Sequence, residues 1–206
     1  LHTIGRRQRQ MCIRDSSTNV GIACWEWPSY MDPEKKVNGI SIVTSPYNQF
    51  ENPLYSNNKI IGTYVNSIMA LHDAIERGSD EALLLDSSKN ISEGSGENLF
   101  IVKNEKLITP TPDNCLNGIT RQSIIKIAKD EKIDVVEKKL KYEDLVDADE
   151  AFFTGTAVEV TPISKVDETT IGDSKIGPIT KKLQKIFTDT VTNKNKKYAH
   201  WLDPIN

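Results

Sequence analysis

The chain has little of what builds disulfide frameworks, structural metal sites or membrane spans. Its 206 residues include three cysteines and three histidines, all far apart, so neither paired cysteines nor a zinc-binding spacing is present. No apolar run reaches the roughly 20 residues that a membrane-spanning helix needs, and the first residues lack the apolar core of a signal peptide. These absences favour a cytoplasmic protein without a structural metal.

An excess of charge of one sign is also missing. Charged residues make up 27% of the chain, yet the net charge is only -3, so we expect neither a nucleic-acid partner nor a membrane partner. The glycines of Gly94-Ser95-Gly96 do not form a dinucleotide fingerprint, because Leu99 stands where the third glycine belongs. No Walker lysine, HExxH or GxSxG motif occurs. These gaps argue against nucleotide and hydride chemistry.

Residues 1–16 differ in character from the rest of the chain. Four arginines fall within the nine positions from Arg6 to Arg14, without a helical or strand pattern of apolar residues. A basic arm that binds nucleic acid is one interpretation. The run also resembles a translated adapter sequence, and we prefer this interpretation. We therefore assign residues 1–16 as extraneous and residues 17–206 as the domain.

The rest of the chain predicts an α+β or mixed α/β fold, because strands outnumber helices without strict βαβ alternation. Apolar periodicity and turn residues set the boundaries. Strands are predicted over residues 20–25, 39–44, 81–86, 99–102, 106–109, 134–137, 150–154 and 158–166, the last interrupted by Pro162. Helices are predicted over residues 63–77, from an N-cap at Thr120, over residues 142–146, and from Pro178 with a buried stripe of Ile179, Leu183, Ile186, Phe187 and Val191. Residues 198–206 are predicted to be a docked tail.

The stretch from Asn90 to Asn98 is the first candidate site. It is predicted to be a short polar loop holding Glu93 and Glu97 with two glycines, followed at once by an apolar strand. Glycine lets a backbone approach a ligand closely, and a carboxylate at the mouth of a strand can be aimed at one atom. A cofactor site fits this pattern, and a surface loop with solvated charges is the alternative.

Three other stretches are weaker candidates. Gly118 feeds the N-terminus of a predicted helix, where free N–H groups and the helix dipole favour an anion, although capped helices without a ligand are common. At the strand break of residues 155–157, Gly155 lies between Thr154 and Thr156. The aromatic rings of Trp25, Trp27 and Tyr30 could wall a pocket or simply pack in a core.

Four motifs follow one another in the chain. They are K-x-x-G-x-Y at residues 59–64, I-S-E-G-x-G-E-N-L-F at residues 91–100, G-I-T-R at residues 118–121 and G-T-A-x-E-V-T-P at residues 155–162. Together they resemble the large C-terminal domain of the class IV (fold type IV) pyridoxal-phosphate aminotransferases, and most of all the branched-chain amino acid aminotransferases. This resemblance implies a D-amino acid aminotransferase-like fold, a β pseudo-barrel flanked by helices. It also implies pyridoxal 5′-phosphate as the cofactor.

The resemblance assigns roles to individual residues. Lys59 would form the Schiff base with the cofactor and then act as the acid and base of the proton shift. Glu93 would face the pyridine nitrogen and keep it protonated, and Tyr64 would bind the ring oxygen. The remaining assignments are the phosphate-binding residues Ile119, Thr120 and Thr156, the substrate-carboxylate residues Thr156 and Ala157, and the pocket-wall aromatic Trp27.

The resemblance also implies a reaction. An L-leucine, L-isoleucine or L-valine would leave its amino group on the cofactor, and a 2-oxo acid, commonly 2-oxoglutarate, would collect it. D-amino acid aminotransferase, aminodeoxychorismate lyase and a non-catalytic remnant are the alternatives. Ile61 and Thr63 depart from the usual Gly and Asn, which puts neighbouring packing in doubt. The family's N-terminal domain has no counterpart in this chain, so we expect a fragment that is inactive alone and homodimeric or a higher homo-oligomer when full length.

Overall fold

The computed structural model describes residues 23, 26, 32–52 and 58–203. These residues form nine strands, five α-helices and two short 3-10 helices at Ile61–Thr63 and Lys196–Trp201. The strands are β1 Ile40–Thr44, β2 Glu81–Leu85, β3 Ile91–Gly94, β4 Asn98–Lys103, β5 Lys106–Thr109, β6 Val135–Glu137, β7 Glu150–Gly155, β8 Glu159–Val166 and β9 Thr169–Thr170. The helices are α1 Lys35–Asn38, α2 Tyr64–Glu76, α3 Ile119–Asp130, α4 Tyr142–Val146 and α5 Pro178–Val191.

All nine strands belong to one mixed sheet in the order β3-β2-β1-β8-β7-β4-β5-β6, with β9 paired to β8. Strand β1 runs parallel to β2 and β8, and β5 runs parallel to β6, whereas the other neighbours are antiparallel. The predicted α+β or mixed α/β class is therefore confirmed. The predicted hairpin of β4 and β5 is also present.

The sheet must curl, and the connection between β3 and β4 shows why. These strands lie five places apart in the sheet order, which is about 24 Å across a flat sheet at the usual strand spacing. Only Ser95, Gly96 and Glu97 join them, and so short a segment reaches at most about 14 Å. The sheet therefore bends into a half-barrel that brings its β3 edge back toward β4.

Apolar side chains cover both faces of this half-barrel. In β4, Leu99 and Ile101 point into the cluster that also holds Ile40, Leu83 and Ile91. The intervening residues of β4 point the other way, into the cluster beneath α3 and α5, as do Phe152 of β7, Leu183 and Phe187. A strand that is buried on both faces becomes a continuous apolar run in the sequence, which is why β4 was readily predicted.

Helix α2 confirms the predicted helix over residues 63–77, but most of its large apolar residues do not face the core. Ala70 and Ala74 pack against the sheet together with Val43 and Leu84. The exposed set, which we call the α2 stripe, includes Val65 at 66% and Ile68 at 63% relative exposure and is completed by Met69 and Ile75. The sheet thus contacts the small residues of α2 and leaves its large apolar residues uncovered.

Two predictions around the strands were wrong. The predicted polar loop from Asn90 to Asn98 is mostly strand, because Ile91–Gly94 forms β3 and only Ser95–Glu97 remains a loop. Pairing of β3 with β2, which sets Glu93 opposite Leu84, overrides the polar composition of the segment. Pro162 does not interrupt β8. The pairing of β8 with β1 begins at Ile163, after the proline, so this pairing needs no N–H from Pro162.

Helix α5 begins at Pro178 as predicted, and its stripe is only partly buried. Leu183 and Phe187 are buried, whereas Val191 is exposed, which corrects its assignment to the buried stripe. The predicted docking of the tail is confirmed for Tyr198 and Trp201, since Tyr198 is buried, its hydroxyl donates to Asp130 at 3.0 Å and Trp201 stacks on its ring. The predicted strand over residues 20–25 lies outside the continuously described residues. Within the described part of the chain, no helix has the length and apolar character needed to cross a membrane.

Candidate functional site

Glu93 is a buried carboxylate on the edge strand β3, with a relative exposure of 8%. One oxygen, Oε1, accepts a hydrogen bond from Gln49 Nε2. The other, Oε2, accepts from Asn98 Nδ2 at 3.2 Å and from the Leu116 N–H at 3.1 Å. Burial raises the pKa of Glu93 from 4.5 to about 7, and the bonds from Leu116 and Gln49 oppose this rise. The alternative of a solvated surface charge is therefore wrong for Glu93.

Lys59 and Tyr64 line a cavity with Glu93, which we call the Glu93 cavity. The structure thus brings Glu93 together with Lys59 and Tyr64, which belong to an earlier motif in the sequence, as the motifs predict. The cavity measures about 60 Å³, well below the roughly 300–1,000 Å³ of ordinary ligand pockets. Its other lining residues are Gln49, Phe50, Asn58, Thr63, Ser67, Ser95, Gly96, Glu97, Asn98 and Leu116.

The N-terminus of α3 offers a second set of groups. Gly118 is the N-cap, and it has an extended backbone and no side chain that could cap the helix. The first N–H groups of α3 therefore have no acceptor within the helix and none from the N-cap side chain. Thr120 lies inside the helix with its side chain buried, which corrects its prediction as the N-cap. A Cβ on Gly118 would lie 2.5 Å from Asn98 Oδ1, so glycine is needed here to keep Asn98 beside Glu93.

Ile119, Thr120 and Thr156 line a larger cavity of about 610 Å³. The structure thus brings together the three residues predicted to bind phosphate, but in a cavity separate from the Glu93 cavity. Leu116 lines the first and Ile119 the second, so a short loop separates the two. The remaining wall of the larger cavity consists of Gln122, Ser123, Glu159, Phe187, Thr190, Val191, Trp201 and Leu202.

Of the predicted substrate-binding residues, Ala157 does not line either cavity. It is exposed in the turn between β7 and β8. Trp27 lies outside the described residues, so its position on the pocket wall remains a prediction. The aromatic residues Trp25 and Tyr30 also lie outside them.

Arg121 is a buried residue to which the sequence analysis gave no role. Its Nη1 donates to Asn117 Oδ1 at 3.0 Å, and its Nη2 donates to the Pro110 carbonyl at 2.8 Å and to Glu137 Oε2 at 2.6 Å. Arg121 thereby ties the loop before α3 to the helix and to β6. The only sequence signal was its place at the end of the G-I-T-R motif.

We expect Arg121→Ala to lower the free energy of unfolding by about 2–4 kcal/mol, through the cavity it leaves and the unpaired Pro110 carbonyl. The ion pair itself contributes little to this figure, because the Glu137 side chain is 38% exposed and can be rehydrated. Urea denaturation measures the change. Lys129→Ala, at an exposed position of the same helix, is the matched control, and a loss below about 1 kcal/mol for Arg121→Ala would contradict the expectation.

Comparison with known proteins identifies close relatives. The chain is 45% identical over 184 residues to the branched-chain-amino-acid aminotransferase of Pseudomonas aeruginosa, covering 89% of this chain and 60% of that protein. The structure superposes on the Escherichia coli branched-chain amino acid aminotransferase with a TM-score of 0.84 at 38% identity, covering 88% of this chain and 60% of that one. Against the enzyme of Thermobaculum terrenum in its PLP form, the TM-score is 0.80 at 30% identity, covering 87% and 59%.

The chain therefore spans about 60% of the length of the curated relative from Pseudomonas. The family described as amino-transferase class IV matches residues 5–166. This match includes all four motifs, and the half-barrel gathers three of their residues, Lys59, Tyr64 and Glu93, around one cavity. The chain belongs to the class IV amino-transferases.

Proposed function

We propose that the full-length protein is a pyridoxal-phosphate-dependent branched-chain amino acid transaminase. The observation that carries this proposal is the buried Glu93 carboxylate facing Lys59 and Tyr64 across one cavity. A buried carboxylate, a primary amine and a phenol are the groups that a pyridine nitrogen, an aldehyde and a ring oxygen require. The relative from Pseudomonas aeruginosa, a branched-chain-amino-acid aminotransferase at 45% identity, supports the substrate class.

The residues of the chain supply the groups that this cofactor needs, divided between the two cavities. Glu93 already binds three donors in a buried site, and a protonated ring nitrogen is a donor of the same kind. The uncapped N-terminus of α3 supports phosphate binding by Ile119 and Thr120, and Thr156 lines the same cavity. The bound cofactor would supply an electron-withdrawing ring that makes the proton on the substrate α-carbon removable.

The chain would then provide the proton transfers. Lys59 Nζ would take the proton from the substrate α-carbon and return one to the cofactor side of the site. Glu93 would hold the ring nitrogen protonated throughout, which requires a carboxylate shielded from water. Tyr64 would orient the ring by a hydrogen bond to its oxygen. We propose that the backbone at Thr156 and Ala157 receives the substrate carboxylate and that Trp27 walls the substrate pocket.

Gln49 is the side chain that would have to move. It donates to Glu93 Oε1 and lines the small Glu93 cavity, so it occupies an oxygen that the ring nitrogen would use. We expect Gln49→Ala to bind pyridoxal phosphate about tenfold more tightly, because one charge-assisted hydrogen bond no longer has to be broken. Fluorescence titration with the cofactor measures this affinity. Weaker binding would instead make Gln49 a ligand of the site. Lys129→Ala is the control, because Lys129 is exposed on α3 and lines neither cavity.

The substrate is tested on the full-length protein with three L-amino acids, with D-alanine and with aminodeoxychorismate. L-leucine with 2-oxoglutarate is expected to react, as are L-isoleucine and L-valine. Turnover of D-alanine alone would indicate a D-amino acid aminotransferase, and release of pyruvate from aminodeoxychorismate would indicate the lyase. No reaction with any donor would favour a non-catalytic remnant.

We also propose that the full-length protein is a homodimer or a higher homo-oligomer. The α2 stripe supports this, because several large apolar side chains on one helix face are rarely left in water by a folded protein. The chain of 206 residues should be inactive alone, since its relatives are longer and the Glu93 cavity is small for a ligand. Size measurement of the full-length protein tests the first statement, and transamination by the purified chain would contradict the second.

A further inference from the structure

Two other carboxylates, Glu81 and Glu97, are buried beside Glu93. Glu81 begins β2 and has a relative exposure of 0%, and Glu97 ends the loop before β4 with 6%. The N–H groups of two consecutive residues, Ser95 and Gly96, bind Glu81 and Glu97 respectively, which places the two carboxylates beside each other, and each acts on the pKa of the other. Among the described residues, the principal groups acting on Glu97 are carboxylates and one backbone N–H, with no cation.

The hydrogen bonds of this pair leave one acceptor without a donor. Glu81 Oε1 accepts from the Ala82 N–H at 2.6 Å and the Ser95 N–H at 3.3 Å, and Glu97 Oε2 accepts from the Gly96 N–H at 2.9 Å. Glu81 Oε2 is fully buried and has no partner among the described residues. A buried acceptor without a donor destabilises the folded state. Two adjacent buried carboxylates that are both charged also destabilise it, because they repel each other. A single proton between the two groups supplies the missing donor and removes the charge repulsion.

We propose that Glu81 and Glu97 share one proton and act as a positioning pair for Glu93. The shared proton would join β2 to the loop of residues 95–97, and that loop leads directly from β3, which carries Glu93, to Asn98. Because the N–H groups of Ser95 and Gly96 bind the same pair, the loop backbone is held from both sides. Only the effect on Glu93 rests on the proposed function. The shared proton is a property of the folded chain.

The pair predicts a specific dependence of the stability of the folded chain on pH. Burial raises the pKa of Glu97 from 4.5 to about 8, with the neighbouring charges of Glu81 and Glu93 adding to the rise. Burial also raises the pKa of Glu81. The folded chain therefore keeps a proton that the unfolded chain releases above about pH 4.5, and stability falls as the pH rises toward about 8. Glu93 titrates nearby, and Lys59 and Tyr64 face the same cavity.

The test compares Glu97→Gln and Glu81→Gln with Glu97→Ala and Glu81→Ala. Each glutamine supplies an N–H in place of the shared proton and removes one titration. Between pH 6 and 9, the unfolding equilibrium constant of the unsubstituted chain should rise about a hundredfold or more. In either glutamine variant this rise should be smaller by about tenfold or more. At pH 6 the glutamine variants should unfold at nearly the original urea concentration, and the alanine variants at a clearly lower one.

Infrared spectroscopy tests the proton directly in Glu93→Gln, because Glu93, with a pKa of about 7, would otherwise add its own protonated carboxyl at pH 6. In this background, the absorption of a protonated buried carboxyl should be present at pH 6, disappear toward pH 9 and be missing when either Glu81→Gln or Glu97→Gln is added. Absence of that band at pH 6 would overturn the proposal, as would glutamine variants as unstable as the alanine ones. Neither measurement needs cofactor or turnover, so failure of the proposed transaminase function would leave both results standing.

Discussion

Lys59→Ala should abolish the specific labelling of this chain by pyridoxal phosphate and borohydride. Borohydride traps the cofactor on a lysine amine as a stable secondary amine, and Lys59 is the amine that shares a cavity with Glu93 and Tyr64. In the full-length protein, the same substitution should lower transamination by about 10⁴-fold or more, because it removes both the attacking amine and the acid and base of the proton shift. Peptide mass mapping measures the label, and a donor assay measures the rate.

Lys129→Ala is the control for Lys59→Ala, because Lys129 is exposed on α3. It should leave both the label on Lys59 and the rate unchanged. Label spread evenly over exposed lysines in the unsubstituted chain would mean that the Glu93 cavity does not recruit the cofactor. A Lys59→Ala protein that still transaminates would remove Lys59 from the mechanism.

Glu93→Gln should have the second largest effect, a loss of about 10²–10⁴-fold in the transamination rate of the full-length protein. An amide has nearly the shape of the carboxylate but cannot hold a ring nitrogen in its protonated form. The pKa of Glu93 is about 7, so cofactor binding by the unsubstituted chain should strengthen as the pH rises through 7 and ionises this group. Titration with pyridoxal phosphate at several pH values should show no such change in Glu93→Gln.

Glu105→Gln controls for the loss of one negative charge, since Glu105 is exposed in the turn between β4 and β5. It should bind the cofactor as the unsubstituted chain does at every pH. Equal turnover by Glu93→Gln and the unsubstituted protein would show that the ring nitrogen needs no carboxylate here. A fall in stability alone, with unchanged turnover per folded molecule, would likewise assign Glu93 a purely structural part.

Local patterns were enough for the elements whose own residues determine their conformation. The helix that begins at Pro178 and the buried strands β2 and β4 were predicted because an N1 proline and continuous apolar runs are local signals. The strand at Ile91–Gly94 was missed because its pairing with β2, a contact that the local composition does not encode, decides its conformation. Pro162 in β8 was misjudged for the same reason.

The residues of the site also fall into those that the sequence identified and those that depend on distant contacts. The motifs placed Lys59, Tyr64 and Glu93 together through family resemblance, and the structure confirms that they share a cavity. Gln49 and Glu81 could not be found from the sequence, because each acts through a contact with a residue many positions away. The exposure of the α2 stripe was also unpredictable. Apolar periodicity shows that one face of a helix packs against another surface, but it does not identify that surface.

The short connection between β3 and β4 sets a rule for how this segment can vary in evolution. The three residues from Ser95 to Glu97 have to bridge the gap between the curled edge of the sheet and its middle, and the same residues bring Asn98 within 3.2 Å of Glu93. A change of side chain at Ser95 alters only one wall of the cavity. An insertion or deletion would instead shift every residue of β4 relative to β7 and turn its side chains to the opposite face. Length polymorphism should therefore be selected against here far more strongly than substitution.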